Sequence, residues 1–369
     1  MQVRQITFVG FGLLASSFAS AIKQAALPIR IRAVSAPGTL ARARQLGLAD
    51  EFFDYDSVAE WVSGSDLILL CSPIISIIEM LEKMAAVTPE QKILVSDIGS
   101  TKQLICESGA KLPSPFLFVG GHPMAGSEKR SLEFHDPALF ENAYWFLCPD
   151  ENTPESVYAP LTELIQMLGS EPVLLSAKRH DAVMAWLSHM PQMVSSTLAG
   201  NLPPRLAEKN DQHFAGRGFR DMTRIAASSW NMWHDILKTN HREILTAFSE
   251  FADSVESTKN ALKHFLKDEE SVHDIFSRGN AGRASLFTPG RNLGSKFFEI
   301  TVQLADKPGT IISVLQPLAE AGLNVRDIEL MKVRENIAGT LLLAFKTQNE
   351  AEKALEVLAH LGFKADARQ

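Results

Sequence analysis

A short apolar stretch followed by two glycines and an alanine constrains this chain more than any other feature. The spacing is Gly10-x-Gly12-x-x-Ala15, a helix of small apolar residues follows, and a second apolar stretch occupies Ile29–Val34. Gly10 permits a tight turn, Gly12 lets the backbone approach a pyrophosphate, and Ala15 allows close packing of helix and strand. The helix N-terminus would stabilise the phosphate charge. This strand–helix–strand unit therefore predicts a dinucleotide site formed by Gly10, Gly12, Leu13, Leu14 and Ala15.

The residue at the end of the second strand bears on the choice of cofactor. A carboxylate at this position binds the ribose 2′-hydroxyl of NAD, but here the residue is Ser35. Arg42 and Arg44 follow, and they could pair with the 2′-phosphate of NADP or lie on a solvated helix face. The residues alone leave NAD and NADP open. We include Ser35 and Ser72 among the candidate cofactor-binding residues.

Strand patterns alternate with helical patterns through the first half of the chain. Further apolar strands are predicted at Leu67–Cys71, Ile93–Ser96 and Phe116–Val119. Such alternation is typical of a mostly parallel, doubly wound sheet. We therefore predict an α/β domain of the Rossmann type over residues 1–175.

Residues 176–267 show long helical patterns and no strand pattern, so we predict an all-helical domain there. One apolar stripe in this region is spaced alternately by four and three residues. The stripe can face the core of its own chain or the surface of a partner subunit, and the pattern leaves both open. Its members are Ile244, Phe248, Phe251, Val255, Thr258, Leu262 and Phe265.

The remaining residues predict a linker and a third domain. Residues 268–295 mix charged residues, glycine and serine with little periodicity, and we interpret them as a linker. Residues 296–369 have the order strand, helix, two strands, helix and strand, which is typical of a ferredoxin-like βαββαβ layer. The two central strands are predicted to form a hairpin that turns at Glu335 and Asn336.

Composition and charge exclude several classes of protein. Lys and Arg number 36 against 43 Asp and Glu, a net charge of −7, so no overall attraction to nucleic acid or an anionic membrane is expected. The apolar run Ile6–Phe18 is interrupted by glycines, unlike a secretory signal, and Ala182–Pro204 holds too many polar residues for a membrane span. Three cysteines without CxxC spacing favour a reducing compartment, and we expect the cytoplasm.

Two histidines and two hydroxyl residues are candidates for chemistry. His122 follows a predicted strand, and it could accept a proton near neutral pH or cap a turn. His189 precedes Pro191 in a predicted kinked helix, and it could line a site or be a core histidine. Ser100 and Thr101 could cap the next helix or hydrogen-bond to a substrate or to His122.

An arginine-rich segment lies in the helical half. Arg217, Arg220 and Arg224 all fall within GRGFRDMTR. Arginine binds carboxylates bidentately, so the segment suggests an anionic small substrate. Trp230 and Trp233 follow, and they could pack over a ring or fill the core. The histidines have neither HxxxH nor HExxH spacing, so no metal site is predicted.

Five segments hold most of these candidates: GFGLLASSFA, SDIGSTK, GGHPMAGSE, SHMPQ and GRGFRDMTRIA, the last followed by WHDI. Together and in this order they resemble the motifs of the prephenate dehydrogenases of tyrosine biosynthesis. Near the C-terminus, ADKPGTI and LAEAGLNVRDIEL resemble the opening of an ACT domain, a module that senses small molecules. The resemblance covers nearly the whole chain and implies a Rossmann domain, a helical domain and an ACT domain, with no chorismate mutase domain before them.

The resemblance implies oxidative decarboxylation of prephenate to 4-hydroxyphenylpyruvate, with hydride transfer to a nicotinamide cofactor, for which we expect NAD and keep NADP as the alternative. By family position, His122 accepts the proton of the ring hydroxyl, Ser100 hydrogen-bonds at the same place and Arg224 binds a substrate carboxylate. Three more residues match family positions that line the substrate pocket: His189, Glu128 and Trp233.

The sequence departs from the family pattern at two positions. Ser35 stands where many NAD-using members have an acid, and Arg217 stands where a small residue is common. Prephenate and arogenate differ in a keto or an amino group, and no single position here decides between them. A non-catalytic regulator that binds a nucleotide and an amino acid is the alternative outside enzymes.

The ACT resemblance implies an amino-acid effector, with tyrosine as a feedback inhibitor. The segments that match the ligand-binding parts of such domains contain Asp306, Gly309 and Asn324. Alternatively, the domain only dimerises. Because exposed edges of ACT sheets commonly pair, the resemblance also implies a homodimer or a larger assembly.

Overall fold

The computed structural model describes residues 3–126, 131–203, 206, 211–286, 297–305, 307–331 and 339–367. The chain divides into two compact units, Met1–Ser257 and Thr258–Gln369. Within the described residues, no helix combines the length and the apolar character that crossing a membrane requires.

The first unit is built on an eight-stranded sheet in which most strands are parallel. The strand order is β3-β2-β1-β4-β5-β6-β7-β8, and only the β6–β7 pair is antiparallel. The central strands are buried on both faces, which explains their continuous apolar sequences. The strands are β1 Gln5–Val9, β2 Arg30–Val34, β3 Glu51–Phe53, β4 Leu67–Leu70, β5 Ile93–Asp97, β6 Phe116–Pro123, β7 Tyr144–Cys148 and β8 Glu171–Leu174.

Helices cover both faces of this sheet and bury a separate apolar cluster on each. One cluster contains Phe18, Phe140 and Trp145, and the ring centroids of Phe18 and Trp145 lie 5.8 Å apart in an edge-to-face contact. The other cluster contains Trp61 and Met84 and extends to the helical half of the unit. The helices are α1 Leu13–Gln24, α2 Pro37–Gln45, α3 Val58–Val62, α4 Ile74–Met84, α5 Gln103–Gly109 and α6 Glu155–Met167.

The strand order changes direction between β1 and β4, because the chain crosses from the β3 edge back over β1. Doubly wound sheets bind ligands outside the carboxyl ends of the strands at such a switch point. The predicted cofactor-binding residues follow β1, β2 and β4, so they share this edge.

The helical half of the first unit contains two irregularities. The chain makes a π-helical turn at Ala185–His189, and Pro191 is the second residue of the helix that follows. A 35-residue helix is kinked at Asn240, where φ is −125°. The elements are α7 Ala177–Met184, α8 Met190–Gly200, a 3₁₀ turn Asp211–Phe214, α9 Arg217–Thr223, a 3₁₀ turn Arg224–Ala227 and α10 Trp230–His264.

The predicted apolar stripe on α10 divides into two parts. Ile244 is buried, and Phe248 and Phe251 pack against the same core. Val255 and Leu262 are exposed in this chain. The core-facing interpretation therefore holds for the first part of the stripe only.

The second unit contains a four-stranded antiparallel sheet of order β10-β11-β9-β12. Together with its two helices it has the predicted βαββαβ order, and the core includes Ile300, Val302 and Phe345. The predicted turn at Glu335 and Asn336 lies outside the described residues. The elements are β9 Phe298–Leu304, α12 Thr310–Glu320, β10 Asp327–Met331, β11 Gly339–Phe345, α13 Gln348–His360 and β12 Ala365–Ala367.

The segment interpreted as a linker contains a helix, α11 Glu270–Ser285. None of its residues is buried. Because a helix without a buried face needs no apolar stripe, its sequence shows no helical periodicity. An interpretation of 268–295 that relied on apolar periodicity therefore missed this helix.

Candidate active site

The turn after β1 leaves an open helix N-terminus at the switch point. Gly10 has a φ of +92°, and a side chain there would meet Ser72 Oγ and come within 2.9 Å of the Cys71 carbonyl group. Gly12 precedes α1, which has no side-chain cap and no acidic residue in its first turn. The first N–H groups of a helix have no intrahelical partner, so those of Leu13 and its neighbours suit an anion. These residues fit a dinucleotide pyrophosphate.

Ser35 and Ser72 lie beside this turn. Ser35 is buried after β2, with its hydroxyl 3.5 Å from the hydroxyl of Tyr55. Ser72 Oγ donates to the carbonyl oxygen of Val9 at 3.4 Å. Both serines therefore lie at the carboxyl edge of the strands, as the sequence predicts, and each has a partner within the chain.

The two arginines considered for a 2′-phosphate are engaged elsewhere. Arg42 Nε lies 3.1 Å from the Glu133 carboxylate. The guanidinium of Arg44 lies 4.5 Å above the centre of the Phe52 ring.

A buried ion pair links the C-terminal end of β5 to β6 through hydrogen bonds. Lys102 Nζ pairs with the Asp97 carboxylate and donates to the Gly121 carbonyl oxygen at 2.6 Å. Asp97 in turn accepts the N–H groups of Gly99 at 2.7 Å and Gly121 at 3.0 Å. Both charged side chains are fully buried, so each depends on the other for stabilisation. His122 is the next residue on β6, and this network holds its backbone in place.

His122 begins a chain of three hydrogen-bonded side chains. Its Nδ1 lies 2.8 Å from Nε2 of His180, and Nδ1 of His180 lies 2.8 Å from Oδ1 of Asp181. The Asp181 carboxylate also accepts the N–H groups of Lys102 at 2.7 Å and Gln103 at 2.9 Å. Asp181 therefore caps α5 from a neighbouring helix.

This cap shows that Ser100 and Thr101 do not cap α5. The Thr101 hydroxyl instead lies 2.8 Å from that of Thr239 on α10. Ser100 is half-buried after β5, at the same sheet edge as His122, and no hydrogen bond joins these two described residues. Its role at the site therefore stays a prediction.

Burial keeps the histidines of the site neutral. It lowers the pKa of His122 well below the ordinary histidine value, and neighbouring His180 and the Lys102 charge act in the same direction. Burial also lowers the pKa of His180, although the hydrogen bond that its Nδ1 donates to Asp181 opposes this effect. A neutral imidazole retains one unprotonated nitrogen, which can accept a proton.

His189 lies at the end of the π-helical turn and is supported by the kink in α10. Nδ2 of Asn240 donates to the Asp181 carbonyl oxygen at 2.9 Å and lies 3.2 Å from Nδ1 of His189. Burial lowers the pKa of His189 to about 4. The Trp233 ring packs edge-to-face on His189 at 5.8 Å, and its buried Nε1 has no hydrogen-bond partner within the described residues.

Arg224 starts the 3₁₀ turn that packs against α8, the helix directly after His189, and we call the surface formed by His189, α8 and this turn the helical wall. Arg224 itself is exposed. The adjacent backbone is held by Gln192, whose Nε2 donates to the Ile225 carbonyl oxygen at 2.8 Å and whose Oε1 accepts from Ser228 at 3.2 Å. Glu128, the remaining predicted pocket residue, lies outside the described residues.

Sequence reasoning missed five residues of this network: Asp97, Lys102, His180, Asp181 and Asn240. Lys102 was visible in SDIGSTK, but a lysine in a turn ordinarily points to solvent. His180 and Asp181 are adjacent, near the start of a predicted helix, and the pair could have been noticed as a hydrogen-bonding dyad. Nothing local marks Asn240 within its helix.

These features define the class of protein. A helix N-terminus open to a pyrophosphate, a neutral histidine at the same sheet edge and a helical wall with an arginine are the parts of a nicotinamide-dependent oxidoreductase. Among the described residues, no group of three His, Cys, Asp or Glu side chains is placed to hold a metal ion.

Comparison with known proteins identifies the family within this class. Residues 18–174 match the family model of the prephenate dehydrogenase nucleotide-binding domain, and residues 176–278 match that of the prephenate dehydrogenase dimerization domain. A prephenate dehydrogenase of Bacillus subtilis is 32 % identical over 359 residues, which are 95 % of this chain and 94 % of that protein. The chain belongs to the prephenate dehydrogenase family.

Two solved structures share the fold. Prephenate dehydrogenase from A. aeolicus, in complex with hydroxyphenyl propionate and NAD+, has a TM-score of 0.68 at 27 % identity and covers 77 % of this chain and 99 % of its own. Synechocystis arogenate dehydrogenase has a TM-score of 0.67 at 27 % identity, with coverage of 76 % and 99 %. The predicted fold class of a Rossmann-type sheet followed by helices is confirmed, and the chain ends in a small antiparallel sheet.

Proposed function

We propose that this protein oxidatively decarboxylates prephenate to 4-hydroxyphenylpyruvate. The observation that carries the proposal is His122, a neutral buried imidazole at the sheet edge that also bears the open N-terminus of α1. His122 takes the proton of the ring hydroxyl as C4 loses its hydride. The bond from C1 to the carboxylate then breaks, CO₂ leaves, and the proton returns to the oxygen as the ring becomes aromatic.

NAD, when bound, supplies the acceptor for the hydride. Gly10, Gly12 and the first turn of α1, Leu13 to Ala15, would hold its pyrophosphate, with Ser35 and Ser72 beside them. The contacts of Arg42 with Glu133 and of Arg44 with Phe52 support NAD over NADP, because both guanidiniums are directed to partners within the chain. The NAD+ complex of the A. aeolicus relative supports the same choice.

The helical wall would bind the rest of the substrate. Arg224 binds a carboxylate, since a guanidinium fork matches two carboxylate oxygens. His189 presents a donor, because its Nδ1 accepts from Asn240 and its proton is therefore on Nε2. Ser100 hydrogen-bonds at the ring hydroxyl. Trp233 packs beside His189, and Glu128 completes the pocket by family resemblance.

Arogenate is the second candidate substrate. Synechocystis arogenate dehydrogenase shares this fold at 27 % identity, the same identity as the A. aeolicus prephenate dehydrogenase. The two substrates differ only in a keto or an amino group on the side chain, and the chemistry at C4 is the same.

We also propose a regulatory role for the C-terminal sheet and a homodimer. The βαββαβ order of this unit supports an ACT-type domain that binds an amino acid, with tyrosine as a feedback inhibitor. Gly309, with a φ of +86°, precedes α12, and exposed Asn324 follows it; Asp306 lies outside the described residues. The match to a dimerization domain supports the homodimer, and the biosynthetic role supports a cytoplasmic location.

The test is the initial rate of nicotinamide reduction by the full-length protein. Prephenate and arogenate are each offered with NAD and with NADP, in the presence and absence of tyrosine. We expect turnover with prephenate and NAD, and inhibition by tyrosine. Turnover with arogenate alone would replace the substrate, and folded protein that binds NAD but turns over neither compound would refute the proposal.

A further inference from the structure

The hydrogen bonds around Asp181 determine which nitrogens of two histidines carry protons. Asp181 accepts backbone N–H groups on both oxygens at the N-terminus of α5, a position that stabilises a carboxylate. A carboxylate can only accept, so Nδ1 of His180 must be the donor of the 2.8 Å contact with Asp181.

The same logic extends to His122. Neutral His180 with a proton on Nδ1 has a lone pair on Nε2, so this nitrogen is an acceptor. The 2.8 Å contact then requires His122 to donate from its own Nδ1. With that proton on Nδ1, the lone pair of neutral His122 lies on Nε2, the nitrogen that is not engaged by His180.

We infer that His180 and Asp181 are positioning residues that hold His122 in the tautomer with its lone pair on Nε2, ready to take the proton of the substrate hydroxyl. The inference rests on the proposed function only for the identity of that proton. When His122 becomes an imidazolium, the Asp181 carboxylate stabilises the positive charge through His180. The reverse tautomer would place a proton on Nε2 and leave no acceptor there.

Burial strengthens this arrangement. His180 is fully buried and Asp181 and His122 are nearly so, so water cannot replace the missing partner if one is removed. The other ionisable groups that act on the chain are Lys102 and Asp97 beneath β6 and His189 on the helical wall. The Lys102 charge opposes protonation of either histidine, whereas the Asp181 and Asp97 carboxylates favour protonation of His180.

Two variants of His180 separate a positioning role from a packing role. In His180→Gln, the amide oxygen can accept from Nδ1 of His122, so the tautomer is preserved. His180→Leu fills similar space and removes the acceptor. Neither variant removes the Asp181 cap of α5. A positioned base contributes about 10²- to 10⁴-fold to a rate, so we expect kcat to fall roughly 10- to 100-fold in His180→Leu and at most a few-fold in His180→Gln.

The direct readout is the ¹⁵N chemical shifts of the imidazoles in full-length protein labelled at histidine. Comparison with His122→Asn assigns the His122 resonances. We expect a protonated Nδ1 and an unprotonated Nε2 for His122 in the native protein and in His180→Gln, and a mixture in His180→Leu. A proton on Nε2 of His122 in the native protein would overturn the inference, as would unchanged kcat in folded His180→Leu.

This experiment separates the two proposals. If the native protein turns over neither prephenate nor arogenate, the proposed function fails, and the tautomer measurement still decides the role of His180. If His180→Leu does not fold, the ¹⁵N spectra of the native protein and of His180→Gln decide whether His180 sets the tautomer of His122. Affinity for NAD serves as the control for folding and is expected to stay within about two-fold in both variants.

Discussion

His122 and His189 are both buried and both neutral, yet the two sides of the site give them opposite roles. His122 lies on β6 at the sheet edge, and its lone pair is on Nε2. His189 lies in a π-helical turn, and its proton is on Nε2, because Nδ1 accepts from Asn240. One histidine is therefore prepared to accept a proton and the other to donate a hydrogen bond. The residue type and the burial are the same, so the neighbours alone make the difference.

Asp181 connects the two sides through different atoms. Its carboxylate holds the His180–His122 chain, and its backbone carbonyl oxygen accepts from Asn240. That carbonyl oxygen can only accept, so the Asn240 atom facing it must be the amide nitrogen. The same nitrogen meets Nδ1 of His189, so this contact assigns the tautomer of His189, whereas the carboxylate contact with His180 assigns that of His122.

The largest expected effect comes from His122→Asn, which removes the proton acceptor from the sheet edge. We expect kcat to fall by about 10²- to 10⁴-fold, the contribution of a positioned base. Affinity for NAD, measured by fluorescence titration, is expected to stay near the native value. The same change at the exposed His264 is the control and is expected to leave kcat unaffected. Full turnover by His122→Asn would assign proton transfer to another group.

Arg224→Leu probes the helical wall instead. A hydrogen bond to a charged group contributes about 1.5–3 kcal/mol, so kcat/KM for prephenate is expected to fall by roughly 10- to 150-fold. The loss should appear mainly as a higher KM, because the carboxylate is bound in both the ground state and the transition state. Arg220→Leu, one helical turn away, is the matched control. Equal losses in both variants would show that general positive charge, rather than Arg224, attracts the substrate.

Asn240→Asp tests whether Asn240 is the reason why His189 has the opposite tautomer to His122. A carboxylate cannot donate to His189, so we expect Nδ1 of His189 to become the donor and Nε2 the acceptor. The substrate then loses a hydrogen-bond donor, and kcat/KM is expected to fall about 10-fold. The ¹⁵N shifts of His122 should not change, because Asn240 contacts Asp181 at its backbone carbonyl oxygen and not at the carboxylate that binds His180. If the Nδ1 and Nε2 shifts were exchanged at His122 as well as at His189, the tautomers of the two histidines would not be set independently.

The last prediction concerns stability as a function of pH rather than activity. The pKa of His189 is about 4 in the folded chain, and it is about 6.5 in an unfolded one. Between these values the unfolded state binds more protons, so the stabilisation present above pH 6.5 is lost as pH falls toward 4. Each such proton contributes a slope of at most about 1.4 kcal/mol per pH unit.

Urea unfolding between pH 7 and pH 4 measures this slope. His189→Asn removes one of the imidazoles that take up a proton on unfolding. The free energy of unfolding of this variant is therefore expected to decline less steeply with falling pH than that of the native protein. His122→Asn should flatten the curve in the same way, because the pKa of His122 is also lowered by burial. Curves that stay parallel to the native one would mean that these histidines titrate equally in the folded and unfolded chains.

Much of the fold was predictable from local sequence. The strand–turn–helix around Gly10 is visible because glycine spacing and an apolar strand occupy one continuous segment. The βαββαβ order of the C-terminal unit follows from alternation and turn residues in the same way. The helix at Glu270–Ser285 was missed, because it buries no face and so leaves no periodic apolar signal.

The sequence by itself determined most of the elements, the nucleotide turn and the position of His122 at a strand end, since each depends on residues close together in the chain. Only the tertiary structure decided the protonation of the site. His122, His180 and Asn240 come from a strand and two helices. Hydrogen bonds that span up to 59 residues link them through Asp181 and His180. A tautomer depends on which atom faces which, and no local pattern of residue types records that geometry.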